Sequence, residues 1–198
     1  MMRAVRLFLL FSILFISVVS GQNLKITLAN NTEAEIKTKQ KLLRVLEEYD
    51  VKKWIYTDSL VISEKVDIPF SHPVITLNTE PQSDLSYLAG FIHENIHWYI
   101  RSKKREGNVK AIKELQEKFP EVPVGKGQGA GSRMSTYFHL IVNYFEYDAI
   151  KQLAGERAAR AVIKNRYYYK WIYKQILEDT AYFEALMKKH HFIEMTEK

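Results

Sequence analysis

The sequence predicts an α+β fold in which a small, N-terminal antiparallel sheet is followed by a mostly helical region. Short segments in the first third alternate apolar and polar residues, which is typical of half-buried strands. From residue 83 onward, apolar residues recur at three- and four-residue steps, which is typical of amphipathic helices. The chain has 198 residues, of which 46% are hydrophobic. That length and composition suit one domain with its own core.

The N-terminus has the composition of a secretory signal peptide. Arg3 and Arg6 precede an uninterrupted apolar run over residues 7–19, and small residues follow it. We therefore expect a signal peptide over residues 1–21 and a single domain over residues 22–198. The expected location is periplasmic or secreted, without stable membrane insertion after cleavage. Because the run is strongly apolar, an uncleaved membrane anchor is the alternative.

Composition excludes several classes of partner and site. The chain has no cysteine, so it forms no disulfide and no thiolate metal site. The formal net charge of +6 includes the two signal-peptide arginines and is too weak to indicate nucleic acid. Residues 166–174 interleave aromatic residues with Lys and Arg. Their helical spacing favours a core face with cations reaching solvent over a platform that stacks nucleic-acid bases.

The elements can be predicted in chain order. Residues 24–28 alternate as a strand, and Asn31 or Thr32 can cap a helix that runs to Tyr49. Ser83 or Asp84 can cap the next helix, which ends in a basic cluster. The remaining predictions are two strands at 54–62 and 73–77, helices at 109–119 and 136–153, a short helix after Gly155, and a long helix at 166–190.

A glycine-rich segment joins two of these helices. Four of the chain's eight glycines lie between Gly125 and Gly131. This segment is not a phosphate-binding loop, because the required Gly-Lys-Ser/Thr ending is absent. It is either a solvated flexible loop or a flap over an active site.

The chemistry of the chain is concentrated in His93-Glu94-x-x-His97. The four-residue spacing places both imidazoles on one stripe of a helix, within reach of a single ion. Two imidazoles and a third protein ligand suit one Zn²⁺ ion and leave a position open for water. Glu94 could accept that water's proton. Gly90 is costly within a helix and therefore indicates that something approaches closely there.

This motif, on an amphipathic helix, resembles that of the zincin superfamily of zinc metallopeptidases. The resemblance covers about ten residues, the length of the motif and its flanks. It implies hydrolysis of a peptide or protein substrate, with Glu94 as the catalytic base. It also implies an edge strand before the helix, at residues 73–77, that pairs with an extended peptide. Two alternatives remain: ordinary histidines on a helix, or a non-catalytic exported protein that keeps a zincin-like core for binding or envelope structure.

The third ligand has to come from another segment. The metzincin pattern is absent, because Lys103 stands where its third His would be and Ile100 where its Gly would be. Glu117 lies at the distance where thermolysin-like enzymes place a glutamate. It points away from the apolar face of its own helix, so we exclude it.

His139, Asn143 and Glu146 form a narrow polar stripe on a helix that is otherwise apolar almost all round. A buried carboxylate without a partner is costly, and a facing metal site would remove that cost. We predict His139 as the third ligand, with Glu146 and Asn143 supporting the ligands from behind. Glu146 as the ligand is the alternative, and a hydrogen-bonded seam between helices is another. Because Glu146→Gln removes a buried charge, we expect it to keep or raise the stability of the metal-free protein.

Three further residues are candidates for a donor to the substrate oxygen. Tyr169, Tyr173 and His190 lie in the last predicted helix. Each carries a hydrogen-bond donor that could stabilise a developing oxyanion. The sequence does not select among them.

Overall fold

The computed structural model describes residues 24–103, 105–125 and 127–192. The predicted signal peptide lies outside the described residues. None of the helices in the described ranges is long and apolar enough to span a membrane. The strands are β1 (Lys25–Leu28), β2 (Ser59–Ile62) and β3 (Ile75–Leu77). The helices are α1 (Glu33–Glu48), α2 (Asp84–Lys103), α3 (Arg105–Lys118), α4 (Arg133–Ala154), α5 (Glu156–Lys164), α6 (Lys170–Glu178) and α7 (Thr180–Lys189), with a 3₁₀ turn at Lys52–Trp54.

The sheet is parallel, so the prediction of an antiparallel sheet is wrong. The strand order is β1-β2-β3, and Leu60 of β2 pairs with Ile26 on one side and Ile75 on the other. Helix α1 connects β1 to β2. It returns the chain to the end of the sheet at which β1 begins, so the two strands run parallel. Residues 63–74 do the same between β2 and β3. Alternation in sequence reports which face is buried and carries no information on strand direction.

Strand β3 is an edge strand, but its outer edge is already occupied. The backbone N–H of Phe70 donates to the Thr76 carbonyl at 3.0 Å, and the Thr76 N–H donates to the Phe70 carbonyl at 2.8 Å. These are the outward-facing groups of a strand that spans three residues. An extended peptide therefore finds no free backbone pair at Thr76, contrary to the expectation for residues 73–77.

Several helices begin at a side-chain cap. The Thr32 hydroxyl accepts from the Glu35 N–H at 3.3 Å and begins α1, and the Ser83 hydroxyl accepts from the Ser86 N–H at 3.2 Å at the start of α2. The predicted long helix over 166–190 is instead two helices. Asp179 separates them, because its carboxylate accepts from the Tyr182 N–H at 3.2 Å and so caps α7.

Helices α2 and α4 pack along each other and form the centre of the core. Leu88, Ile92 and Ile96 of α2 are fully buried, as are Leu140 and Ile141 of α4. The prediction that the helix around residue 140 is buried on almost all sides is confirmed. This packing brings the polar stripe of α4 opposite the histidines of α2.

Candidate metal centre

Helix α2 holds His93 and His97 one turn apart with their Nε2 atoms 3.2 Å from each other. The rings are inclined by 65°, and their centroids are 5.0 Å apart. Two nitrogens bound to one tetrahedral zinc at 2.0–2.1 Å stand about 3.3–3.4 Å apart, by the geometry of a tetrahedron. The two nitrogens thus have the separation that such an ion requires.

Helix α4 adds His139 to this pair. Its ring centroid lies 5.6 Å from that of His93 and 5.1 Å from that of His97. One nitrogen from each of the three rings lies within 4.8 Å of the others. Nδ1 of His139 donates to the Ser135 carbonyl at 2.7 Å, so this ring carries its proton on Nδ1 and presents the lone pair of Nε2.

Glu146 fixes the opposite side of the His93 ring. Nδ1 of His93 lies 2.8 Å from Oε2 of Glu146, and a donated hydrogen there leaves the lone pair of Nε2 toward His97. Tyr173 donates to Oε2 at 2.7 Å, and Arg166 donates to Oε1 at 2.8 Å. Both carboxylate oxygens are therefore engaged. Glu146 lies behind the imidazoles, outside the group of three ligand atoms.

Arg166 was not singled out as a partner of Glu146 by the sequence. It begins the segment before α6, twenty residues from Glu146, and also donates to the Ser86 carbonyl at 3.2 Å. Burial raises the pKa of Glu146, but the charge of Arg166 and the hydrogen bonds from His93 and Tyr173 outweigh it and lower the pKa to about 2. The sequence indicated that Glu146 is buried and needs a partner, and it showed a basic segment at residues 166–174. Only the fold shows that Arg166 of that segment is the partner.

The metal-free imidazoles differ in their affinity for a proton. Burial lowers the pKa of His93, but the hydrogen bond to Glu146 and the nearby carboxylates outweigh it and raise the pKa. Burial and the positive charge of His93 hold the pKa of His97 well below its usual range. In the absence of metal, a proton on His93 can therefore bridge the two Nε2 atoms, and a cation would replace it.

Glu94 lies beside the cluster and borders a cavity. The cavity has a volume of about 210 Å³ and is also bordered by His93, His139 and Tyr169. Glu94 is 6% exposed, and its side chain makes no hydrogen bond to another residue in the described part of the chain. Burial and the charge of Glu146 raise the pKa of Glu94 to about 7. A carboxylate with such a pKa can accept and release a proton near neutral pH.

Gly90 borders the same cavity, one turn before Glu94. A Cβ built at this position would meet no atom within 4 Å. The missing side chain therefore enlarges the cavity and does not make room for another protein segment. The expected close approach at Gly90 would have to be that of a ligand.

The three candidate oxyanion donors occupy different places. The hydroxyl of Tyr169 lies 3.1 Å from Nε2 of His139, and its ring stacks on the His139 ring with centroids 4.7 Å apart. Tyr169 has left-handed backbone angles, φ 62° and ψ 28°, which are strained for a bulky residue. Tyr173 donates to Glu146, and His190 bonds Glu114 at 2.9 Å. Tyr169 is the one of the three whose hydroxyl faces the histidine cluster.

Two other residues of interest do not join the cluster. Asn143 is fully buried, but neither atom of its side-chain amide hydrogen-bonds to a described residue. Its side chain therefore makes no hydrogen bond to the imidazoles, although it shares a stripe with His139. Glu117 is exposed on α3, as its position relative to the apolar face of that helix predicted.

The glycine-rich segment forms part of the cavity wall through Ala130 and Gly131. Its backbone is tied to the first turn of α6: the Gly127 carbonyl accepts from the Lys170 N–H, and the Gln128 carbonyl accepts from the Trp171 N–H, both at 3.1 Å. A Cβ on Gly129 would lie 2.0 Å from the Pro123 carbonyl oxygen. The segment is thus closely packed at Gly129, has open space at Gly125, Gly127 and Gly131, and borders the site.

A scan against protein-family models, a search of curated proteins and a search of solved structures find no match to this chain. The resemblance to zincins therefore rests on the motif of α2. Any assignment of chemistry rests on the geometry of the side chains around it.

Proposed function

We propose that the protein is an exported zinc-dependent peptidase that binds one Zn²⁺ through His93, His97 and His139. The convergence of the three imidazoles is the observation that carries this proposal. His93 and His139 each donate a hydrogen from Nδ1, to Glu146 and to the Ser135 carbonyl, so both turn Nε2 inward. A set of three neutral imidazoles with a free fourth position is the arrangement of catalytic rather than structural zinc sites.

Zinc bound at such a site would supply Lewis-acid activation of a water molecule and of the scissile carbonyl. Glu94 accepts the proton of the attacking water and delivers it to the leaving amine. Tyr169 donates its hydroxyl hydrogen toward the carbonyl oxygen as negative charge develops there. Glu146 orients His93, and Arg166 keeps Glu146 ionised through their contact at 2.8 Å.

The alternative is a non-catalytic exported protein whose metal site serves binding or envelope structure. Structural zinc sites have four protein ligands. Within the described ranges, three residues form the candidate group, and Glu94 borders a cavity beside it. These two observations favour the enzyme over the structural site.

Metal analysis and peptide hydrolysis test the proposal together. The purified protein should contain one zinc per chain, and His97→Ala should lose most of it. Glu94→Gln should retain zinc and fold but lose hydrolysis by about 10²–10⁴-fold, because an amide cannot accept a proton. Cleavage by Glu94→Gln at the wild-type rate would show that the mechanism is wrong. A wild-type protein that binds no metal would show that the assignment of the metal site is wrong.

A further inference from the structure

A second cavity lies against His97, which does not border the cavity beside Glu94. It is open to solvent, has a volume of about 510 Å³, and is lined by His72, His97, Ile100, Arg101, Asn108 and Phe138. The Phe138 ring stacks on the His97 ring with centroids 5.3 Å apart. His93 and His139 thus border one cavity and His97 borders the other, so a substrate bound at the cluster has space to extend into both.

The two cavities differ in charge. Two carboxylates, Glu94 and Glu146, border the smaller one, together with Arg166, which forms an ion pair with Glu146. The residues that line the larger one include no Asp or Glu. Its charged group is Arg101, four residues after His97 and therefore on the same face of α2. This cavity consequently has a positive potential beside the candidate metal position.

Arg101 has no counterion in the described part of the chain. Its side chain is exposed, and no described carboxylate forms an ion pair with it. Its charge reaches His72, because burial and the positive charge of Arg101 lower the pKa of that imidazole. The His72 ring is held in place by stacking on Trp98, with centroids 4.6 Å apart.

These groups match the chemistry of a carboxylate. A guanidinium binds a carboxylate with two parallel hydrogen bonds, and the amide of Asn108 and the ring of His72 offer further donors. Ile100 and Phe138 form an apolar wall against which a short aliphatic stem can pack. A neutral substrate side chain would form no ion pair with Arg101.

We propose, resting on the function proposed above, that substrates carry a carboxylate that Arg101 binds in the cavity beside His97. Two sources offer this group: an acidic side chain next to the scissile bond, or the free C-terminal carboxylate of the peptide. Arg101 is a specificity-determining residue in this proposal and takes no part in the bond-breaking step.

Binding to the metal-free protein tests this without relying on activity. The probes are N-acetyl-glutamate α-amide for a side-chain carboxylate, N-acetyl-alanine for a C-terminal carboxylate, and N-acetyl-glutamine α-amide as the neutral control, titrated by NMR of the arginine side chains. At least one acidic probe should bind, and the tighter of the two identifies the source. Arg101→Gln should weaken that binding about fivefold or more, and Arg101→Lys less. Arg157→Gln removes an equally exposed arginine from α5 and should change nothing.

The proposal is overturned if the neutral probe binds as tightly as the acidic ones, or if Arg101→Gln binds them like the wild type. Cleavage of matched Glu and Gln peptides by the zinc-loaded protein separates this failure from that of the peptidase. Equal cleavage of both peptides, unaffected by Arg101→Gln, would leave the peptidase and remove the carboxylate site. Arg101-dependent binding of acidic probes without any cleavage would leave the site and remove the peptidase.

Discussion

In this cluster, one nitrogen of the imidazole donates a hydrogen bond and the other faces the centre of the cluster. In His93 and His139, Nδ1 is held by an acceptor, a carboxylate at 2.8 Å and a carbonyl at 2.7 Å, and Nε2 faces inward. In the proposed zinc site, loss of an inward nitrogen would remove a ligand, whereas loss of an acceptor would only let the ring rotate. Replacement of a supporting partner typically costs 10–100-fold in affinity or activity.

Zinc competition titration can therefore separate His139 from Glu146. His139→Ala should lower zinc affinity far more than Glu146→Gln, because it removes one of three ligands. His190→Ala is the matched control, since His190 and His139 are both 9% exposed but His190 bonds Glu114 outside the cluster. If Glu146→Gln empties the site and His139→Ala leaves it filled, Glu146 is the ligand. If both variants bind like the wild type, the stripe on α4 is a structural seam.

Arg166 changes what Glu146→Gln should do to stability. The sequence alone suggested that removal of a buried charge would cost nothing. In the structure, the substitution removes the ion-pair partner of Arg166, whose side chain is 23% exposed. The free energy of unfolding should fall by about 3 kcal/mol, the low end of the range for a broken buried pair because of that exposure. Thermal and chemical melts with chelator present measure it.

The pairing of His93 with His97 and the position of His139 on the face of α4 toward them could be predicted from sequence, because both depend on spacing within one helix. His93 and His97 follow from a four-residue step, and His139 follows from a polar stripe on an apolar helix. Arg166 could not be derived as the partner of Glu146. Its contact depends on how the segment before α6 returns to α4, which no local pattern specifies.

Glu35 joins three elements of the N-terminal layer. Its carboxylate accepts from the Asn30 N–H at 2.8 Å, from the Asn30 side chain at 2.9 Å and from the Glu64 N–H at 3.2 Å. These contacts link the end of β1, the first turn of α1 and the segment after β2. Burial raises the pKa of Glu35, but these hydrogen bonds outweigh it and lower the pKa to about 2.

Stability should therefore depend on the ionisation of Glu35. The folded-state pKa is below the unfolded value of about 4.5, so the contribution is fully present above that pH and is lost as the pH falls toward about 2. The difference in unfolding free energy between wild type and Glu35→Gln should be largest near neutral pH and shrink over that interval. Glu33→Gln, an exposed neighbour in the same helical turn, should show almost no such dependence. A difference that does not vary with pH would contradict this assignment.

At the scale of the whole molecule, the helices were predicted better than the sheet. Each helix is specified by residues three or four apart, and its ends by caps such as Thr32. Whether strands run parallel depends on connections of ten or more residues, which the alternation within a strand does not record. Residues 166–190 were predicted as one helix for a different, local reason. The cap at Asp179 competes with a periodicity that continues past it.

The cellular location of the protein can be tested by determining its mature N-terminus. If residues 1–21 are a signal peptide, the exported protein should begin at Gly21 or Gln22 and be recovered in the soluble fraction outside the cytoplasm. N-terminal sequencing of the secreted or periplasmic material measures this directly. An intact Met1 start in the membrane fraction would show an uncleaved anchor.

The hydrogen bonds between the glycine-rich loop and α6 have a mechanical consequence. Tyr169 directly precedes Lys170 and Trp171, whose N–H groups are bound by Gly127 and Gln128. The backbone of Tyr169 is thus anchored through the loop, while its hydroxyl rests on His139. A ligand that displaces the loop would also displace the backbone at residues 169–171, which positions the Tyr169 hydroxyl. The wall of the cavity and the donor inside it therefore shift as one linked unit.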